Sequence, residues 1–150
     1  MTEKYGVLAY DIASDGDPRF LLITSRETKR WVIPRGNAVP GLPPHQSAAQ
    51  EAYEEAGLTG LVEAQEIGTY RFDKRRKDGS IEEANVHVFP LRTTIQSGEW
   101  PERKERDTRW FTREDAAAAV DEPGLKALIR DFIPPAEAAA RLPVASLSTP

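Results

Sequence analysis

The chain has 150 residues, of which 39% are hydrophobic and 29% are charged, so it is long enough to bury the core of one domain. Its formal net charge of −4 at pH 7 gives no support for general binding of nucleic acid. With no cysteine and only 2 histidines, the chain forms no disulfide, and its composition argues against a zinc centre.

Three strands are predicted in the first part of the chain. Residues 4–12 and 20–25 are strand-like runs on either side of a turn rich in Asp, Gly and Pro, and residues 31–33 form a third run. The third run stops at Pro34. The segment that follows Gly36 is rich in Pro, Gly and small side chains, which exclude regular structure, so it predicts a loop.

A helix is predicted after this loop, because Ala and Glu are frequent in residues 50–58. Pro44 suits the first helical turn, and Ser47 with Gln50 forms an alternative capping box further along the chain. Gly57 suits the left-handed residue that often ends a helix. One face of this helix is apolar and suits packing on a core: Ala49, Ala52, Tyr53 and Ala56.

Three glutamates, Glu51, Glu54 and Glu55, lie on the opposite face of the predicted helix. Residues three and four apart are neighbours on a helix, so the carboxyl groups converge on a patch small enough for a hard divalent cation. The alternative is a solvated acidic face, which is the usual place for charged helix residues. We favour the cation site because of the loop that precedes the helix.

A β-hairpin is predicted further along the chain, because Asp78 and Gly79 lie between two strand-like stretches, residues 61–72 and 83–93. Five basic side chains cluster near this turn: Arg71, Lys74, Arg75, Arg76 and Lys77. One interpretation is that they bind a polyphosphate near the predicted cation site. The alternative is a solvated hairpin tip, since exposed basic turns are common.

The last part of the chain predicts a strand and two helices. Residues 106–111 are strand-like, and helices are predicted after Thr112 and over residues 125–132. We expect one domain over residues 1–133. The remaining residues, 134–150, are rich in Ala, Pro and Ser, so they predict a flexible tail.

The spacing from the loop to the helix resembles the signature of the Nudix hydrolase family. In that signature a Gly is followed after five residues by Glu, and after seven more by Arg-Glu, an aliphatic residue, any residue, Glu-Glu, any residue, Gly and an aliphatic residue. Seven positions of this chain fall in that register without an insertion: Gly36, Glu51, Ala52, Glu54, Glu55, Gly57 and Leu58. The stretch over residues 31–58 further resembles the branch akin to diphosphoinositol polyphosphate phosphohydrolases, in particular its bacterial members.

Two positions depart from the signature, since Leu42 replaces the first Glu and Gln50 replaces the Arg. In the family that Arg is thought to hold the glutamates through ion pairs, whereas Gln offers neutral hydrogen bonds of roughly half the strength. We therefore expect the metal site to be weakened at most.

The resemblance implies an α/β fold, the Nudix-type α/β/α sandwich with a mixed central β-sheet, and hydrolysis of a diphosphate linkage with Mg²⁺ or Mn²⁺. It implies that Glu51 and Glu55 are the principal metal ligands and that Glu54 is a further ligand or the base that orients water. Arg35 resembles the family's basic residue at that point, which suits a phosphate oxygen. The remaining motif residues have structural roles: Gly36, Gln50 and Gly57.

The substrate expected first is a diphosphoinositol polyphosphate or a dinucleoside polyphosphate, followed by a nucleoside diphosphate derivative or the 5′ end of RNA. The competing hypothesis, motivated by Leu42 and Gln50, is a Nudix-fold module that binds a phosphorylated ligand without turnover. Glu102 and Glu105 could add a carboxylate to the metal, although nothing local distinguishes them. The number of metal ions and the choice between monomer and dimer stay open.

No membrane partner is expected, because no apolar stretch approaches the roughly 20 residues needed to span a bilayer. The polar N-terminus lacks the apolar core of a secretion signal. The absence of cysteine is compatible with a reducing interior, so we expect a cytoplasmic protein.

Overall fold

A mixed β-sheet forms the centre of the computed structural model, which describes residues 1–135. The strands are β1 (Thr2–Ile12), β2 (Pro18–Thr24), β3 (Trp31–Val32), β4 (Arg35–Gly36), β5 (Leu58–Val62), β6 (Gly68–Arg75), β7 (Ile81–Gln96) and β8 (Thr108–Thr112). The helices are α1 (Pro44–Ala56), α2 (Arg113–Ala119) and α3 (Pro123–Asp131). Within residues 1–135, no helix has both the length and the apolar character needed to cross a membrane.

The sheet is built around the parallel pairing of its two longest strands, β1 and β7. The order of the main path is β3-β2-β1-β7-β5, with β4 paired to β1, β6 to β7 and β8 to β2. Every other pairing among the described strands is antiparallel. The mixed central sheet that the sequence predicts is therefore confirmed.

Each face of the sheet carries its own hydrophobic core, because alternate residues of a strand point to opposite faces. One face packs against α1, and its buried residues include Val7, Ala9, Phe89, Leu91, Ala48 and Ala52. The opposite face packs against α2 and α3, and its buried residues include Leu8, Tyr10, Val86, Val88, Ala116 and Ile129. The result is the expected α/β/α sandwich, in which α1 is the one helix on its side within residues 1–135.

The start and end of α1 follow the sequence, but its buried face is rotated from the predicted one. Pro44 lies in the first turn as expected, whereas the side chain of Ser47 accepts a hydrogen bond from the Val39 backbone N–H (2.9 Å), so the alternative capping box is wrong. Tyr53 is 41% exposed, which contradicts its place in the apolar stripe. The buried residues of α1 are Ser47, Ala48, Ala52, Glu55 and Ala56. Glu55 therefore lies on the packed side of the helix. The prediction that all three glutamates lie on the face opposite to the packed one is wrong for this residue.

The other predicted elements are present with shifted boundaries. The strand-like stretch over residues 61–72 is shared between β5 and β6, because β7 is long enough to pair with both in succession. Asp78 and Gly79 form the predicted hairpin turn, in which Gly79 has a φ of 88°. Thr112 caps α2, since its side chain accepts a hydrogen bond from the Asp115 backbone N–H. The predicted flexible tail lies outside the described residues from position 136 onward.

Candidate active site

The carboxylate of Glu55 is buried where α1 meets β4. Glu55 as a whole residue is 6% exposed. Oε1 accepts a hydrogen bond from the Arg35 backbone N–H (3.1 Å), and Oε2 lies 3.4 Å from Nη2 of Arg106. Both oxygens of this carboxylate are therefore oriented by the protein.

Glu51 lies one helical turn before Glu55 and is half-buried over Gly36. A Cβ at position 36 would lie 2.3 Å from Cδ of Glu51, which is far inside contact distance. Only glycine leaves room for this carboxylate. The glycine of the predicted motif thus has a direct structural role beside a predicted ligand.

The loop between β7 and β8, residues 97–107, crosses the C-terminal end of α1, and we call it the covering loop. The Ser97 backbone N–H donates to the Gly57 carbonyl (2.8 Å), and the Glu102 backbone N–H donates to the Glu54 carbonyl (3.0 Å). The ring of Trp100 lies on Gly57, where a Cβ would come within 2.4 Å of it. Gly57 also has the left-handed φ of 72° that ends the helix, as predicted.

This loop brings Glu102 and Arg106 to the buried carboxylate. The side chain of Arg106 is 9% exposed, and its Nε donates to Oε1 of Glu102 at 2.9 Å. Glu105, by contrast, pairs with Arg26 (3.0 Å) near the surface. Sequence reasoning missed Arg106, because its contact with Glu55 joins residues 51 positions apart. The i,i+4 spacing of Glu102 and Arg106 is the only local sign of the pair.

The electrostatics of the cluster oppose the charging of its carboxyl groups. Burial raises the pKa of Glu55 to about 8, and the negative charges of Glu51 and Glu102 add to this while Arg106 opposes it. Burial also raises the pKa of Glu51, with the charge of Glu54 as a further cause. Carboxylates that are shielded from water and repel one another are stabilised by a nearby cation. The cluster therefore favours the binding of a positive ion.

Glu54 and Gln50 lie together on the outer side of α1. The side-chain amide of Gln50 donates to Oε1 of Glu54 at 3.3 Å. This bond is neutral on the Gln50 side, as predicted for the residue in place of the signature Arg. Glu54 is half-buried and is held at its backbone by Glu102.

The donor set suits magnesium or manganese, although it is not assembled as a finished ligand cage. In the described part of the chain, no three His, Cys, Asp or Glu side chains are grouped closely enough to hold an ion. Glu51 and Glu55 lie one helical turn apart and supply carboxylate oxygens, the ligands that Mg²⁺ prefers. They fit a hard divalent ion by chemistry and charge.

The guanidinium of Arg35 is directed away from these glutamates. Its Nη1 donates to the Tyr70 hydroxyl (2.7 Å), and its Cζ lies 3.8 Å from the ring centroid of Phe72. Burial raises the pKa of Tyr70 to about 12, so the phenol stays neutral and accepts this bond. Only the backbone N–H of Arg35 reaches the carboxylate cluster.

Three of the five basic residues of the β6–β7 hairpin are divided between the two faces of the sheet, and the other two lie at its turn. Pairing with β7 places Arg71 and Arg75 on the face that carries α1, and Lys74 on the opposite face with Tyr70. Arg76 and Lys77 lie at the exposed turn. Two of the five have acidic partners: Arg71 pairs with Glu83, and Arg76 with Glu82.

The chain matches a known protein family over most of its length. A family model described as the NUDIX domain matches residues 3–132. Nudix hydrolase 12, mitochondrial, of Arabidopsis thaliana is 28% identical over 118 residues, covering 75% of this chain and 57% of the relative. Diphosphoinositol polyphosphate phosphohydrolase 3-alpha of Mus musculus is 31% identical over 102 residues, covering 67% of this chain and 58% of the relative. The chain thus spans less than two thirds of these relatives, and their plant and mammalian origin gives no support to the predicted bacterial branch.

Solved structures share the fold. A binary complex of the C. elegans Ap4A hydrolase matches with a TM-score of 0.65 and 24% identity, covering 93% of this chain and 99% of that one. A NUDIX hydrolase from Nitrosomonas europaea matches with a TM-score of 0.64 and 19% identity, covering 87% and 86%. At these identities the likeness concerns the fold alone.

Proposed function

The chain belongs to the Nudix family, and on this basis we propose that it is a metal-dependent hydrolase of a diphosphate linkage in a densely phosphorylated small molecule. The observation that carries the proposal is the pair of acidic groups formed by half-buried Glu51 and buried Glu55, on a loop and helix in the family's register. Two carboxyl groups with raised pKa values, packed over a glycine that only just admits one of them, are costly to keep without a cation.

In the proposed reaction Glu51 and Glu55 would hold Mg²⁺ or Mn²⁺, and Glu54 would be a further ligand or would orient the attacking water. The bound ion would activate that water and stabilise negative charge on the bridging and outer oxygens of the diphosphate. Because Glu55 is held at both oxygens by the Arg35 N–H and Arg106, its carboxylate is already oriented before any ion would bind. Such preorganisation lowers the reorganisation needed in the reaction.

For the substrate we favour a diphosphoinositol polyphosphate or a dinucleoside polyphosphate. The 31% identity to the mouse diphosphoinositol polyphosphate phosphohydrolase supports the first, and the fold shared with the C. elegans Ap4A hydrolase is compatible with the second. Arg75 adds positive charge on the sheet face that carries α1, which suits a ligand with many phosphates, whereas Arg71 on the same face is paired with Glu83. The absence of cysteine is compatible with the reducing cytoplasm that we assign to the protein.

A second candidate function is a module that binds a phosphorylated ligand without turning it over. The observation that favours it is the weak, neutral bond of Gln50 to Glu54, which replaces the ion pair of the signature. The metal-binding carboxylates themselves remain, so we rank this function second.

The two functions differ in one measurement on the wild-type protein. A panel of diphosphoinositol polyphosphates, dinucleoside polyphosphates, nucleoside diphosphate derivatives and 5′-triphosphorylated RNA is incubated with and without Mg²⁺, and released phosphate or nucleotide is quantified. The hydrolase releases product from at least one class only with the metal. Tight binding across the panel with no metal-dependent release supports the binding module instead.

A further inference from the structure

Arg106 occupies a place in the candidate site that neither the sequence motif nor the comparisons assign. Among the residues that the structure describes, it is the one basic side chain that forms an ion pair with any of Glu51, Glu54 and Glu55. Its own side chain is 9% exposed and that of Glu55 is 8% exposed, so the pair is almost completely shielded from water.

The guanidinium of Arg106 is fixed by three different segments of the chain. Nε donates to Oε1 of Glu102 (2.9 Å), Nη1 to the Thr24 carbonyl (3.2 Å) and Nη2 to Oε2 of Glu55 (3.4 Å). The neighbouring backbone is held as well. The Thr24 backbone N–H donates to the Asp107 carbonyl, and the Asp107 backbone N–H donates to the Thr24 hydroxyl. A planar group held at three points has little freedom to reorient.

Arg106 supplies a cationic partner for Glu55 that α1 itself does not provide. The side-chain amide of Gln50 donates a neutral hydrogen bond to Glu54, and within the described residues no basic side chain of α1 pairs with Glu55. Arg106 reaches Glu55 from the covering loop instead. Its contact with Glu55 is longer than its contact with Glu102, so the Oε2 lone pairs are directed without being fully engaged.

We propose that Arg106 is a positioning residue, which holds Glu55 and Glu102 in a fixed relation so that Glu55 presents its carboxylate to the metal ion. The inference rests on the proposed function, because it concerns the ligand of that same ion. Arg106 touches neither substrate nor metal in this account. Its effect passes through the orientation of Glu55.

The sharpest variant is Arg106→Lys, because it keeps the positive charge beside the ligands but loses the planar fork that orients them. The matched control is Arg103→Lys, in the same loop, whose guanidinium makes an exposed ion pair with Glu99 (2.7 Å). Mn²⁺ binding to each substrate-free protein is followed by electron paramagnetic resonance. Turnover of the best substrate at saturating Mg²⁺ and thermal unfolding in EDTA are measured in parallel.

We expect Arg106→Lys to weaken Mn²⁺ binding and to lower kcat by about tenfold each, as loss of a partner that orients a metal ligand commonly does. KM should stay within about threefold of wild type, because the substrate's own contacts are untouched. Arg103→Lys should match wild type in all three quantities. A merely structural role would lower the unfolding temperature and the folded fraction without changing the Mn²⁺ affinity of the folded protein.

The proposal is overturned if the folded Arg106→Lys protein binds Mn²⁺ as tightly as Arg103→Lys. If the wild type turns over no substrate, the proposed hydrolase fails, yet the Mn²⁺ titration still decides the role of Arg106. If Arg106→Lys does not fold, the Arg Nε–H resonances of the wild type are followed by NMR during a Mg²⁺ titration. A shift of the Arg106 resonance that Arg103 does not share supports the proposal, and an unchanged Arg106 resonance overturns it.

Discussion

Glu55 is held in an environment that disfavours its charged form, and this makes the stability of the metal-free protein depend on pH. Burial raises its pKa to about 8 from a usual value near 4.5, so between these values the folded protein keeps a proton that the unfolded chain releases. The stability that Glu55 contributes is complete below the unfolded pKa and is lost as the pH rises through the folded one. Glu51, whose pKa is also raised, acts in the same direction.

In EDTA, the unfolding temperature should therefore fall between about pH 5 and pH 8, measured by circular dichroism at constant ionic strength. Mg²⁺ should reverse the fall, and its stabilising effect should grow with pH because the ion binds the ionised carboxylates. A metal-free unfolding temperature that rises steadily over this range would contradict the assigned environment of Glu55.

Glu55→Gln isolates the contribution of this one side chain. The amide has a similar shape and carries no charge, so the variant should lose much of the pH dependence in EDTA while remaining folded. Its Mg²⁺-dependent turnover should fall at least about a hundredfold, since a ligand to the ion is gone. Glu105→Gln, at an exposed ion pair, is the control. It should retain the pH dependence of the unfolding temperature in EDTA and the Mg²⁺-dependent turnover. Unreduced turnover in Glu55→Gln would remove this helix from the mechanism.

At the scale of elements, the site depends on how closely α1 approaches β4. Gly36→Ala would place a methyl carbon 2.3 Å from Cδ of Glu51, so the carboxylate must move. We expect kcat/KM to fall about tenfold or more, with the fold retained, because a displacement near 1 Å can have effects of this size. Gly98→Ala is the control, since nothing lies within 4 Å of its added carbon. Equal activity in the two variants would show that Glu51 does not need its observed position.

The β6–β7 hairpin offers a second test, because neighbouring basic residues point to opposite faces. Arg75 lies on the face that carries α1 and Lys74 on the other. If the α1 face binds the substrate's phosphates, Arg75→Gln should raise KM about fivefold with little change in kcat, and Lys74→Gln should change neither. Steady-state kinetics on the best substrate distinguishes them. Similar effects of both changes would indicate a solvated tip that attracts the substrate only by its overall charge.

Local spacing is what made α1 and its glutamates predictable. The ends of the helix follow from Pro44 and Gly57, whose backbone preferences act within a few residues. Its buried face was harder to predict, because alanines on adjacent faces offer two overlapping apolar stripes. Packing against the sheet selects Ala48 over Tyr53, and the covering loop then encloses Glu55. Neither choice is encoded within the helix itself.

At the scale of the whole molecule, the site joins segments that are distant in sequence. The antiparallel pairing of β5 with β7 brings the loop after β7 to the end of α1, since Leu58 pairs with Gln96, and β4 joins the sheet through β1. Strand order of this kind depends on long-range pairing, so the sequence predicted a mixed sheet only through its family resemblance. The contact between Arg106 and Glu55 has the same origin, which is why no local pattern revealed it.

The central claim is that Glu51 and Glu55 together hold a divalent ion beside a diphosphate. Crystals of the wild-type protein grown with Mn²⁺ and a non-hydrolysable dinucleoside polyphosphate test this claim most directly, through anomalous difference density at the manganese edge. We expect a peak about 2 Å from carboxylate oxygens of both residues, in contact with the analogue's phosphates. Bound analogue with no manganese near either glutamate would contradict it.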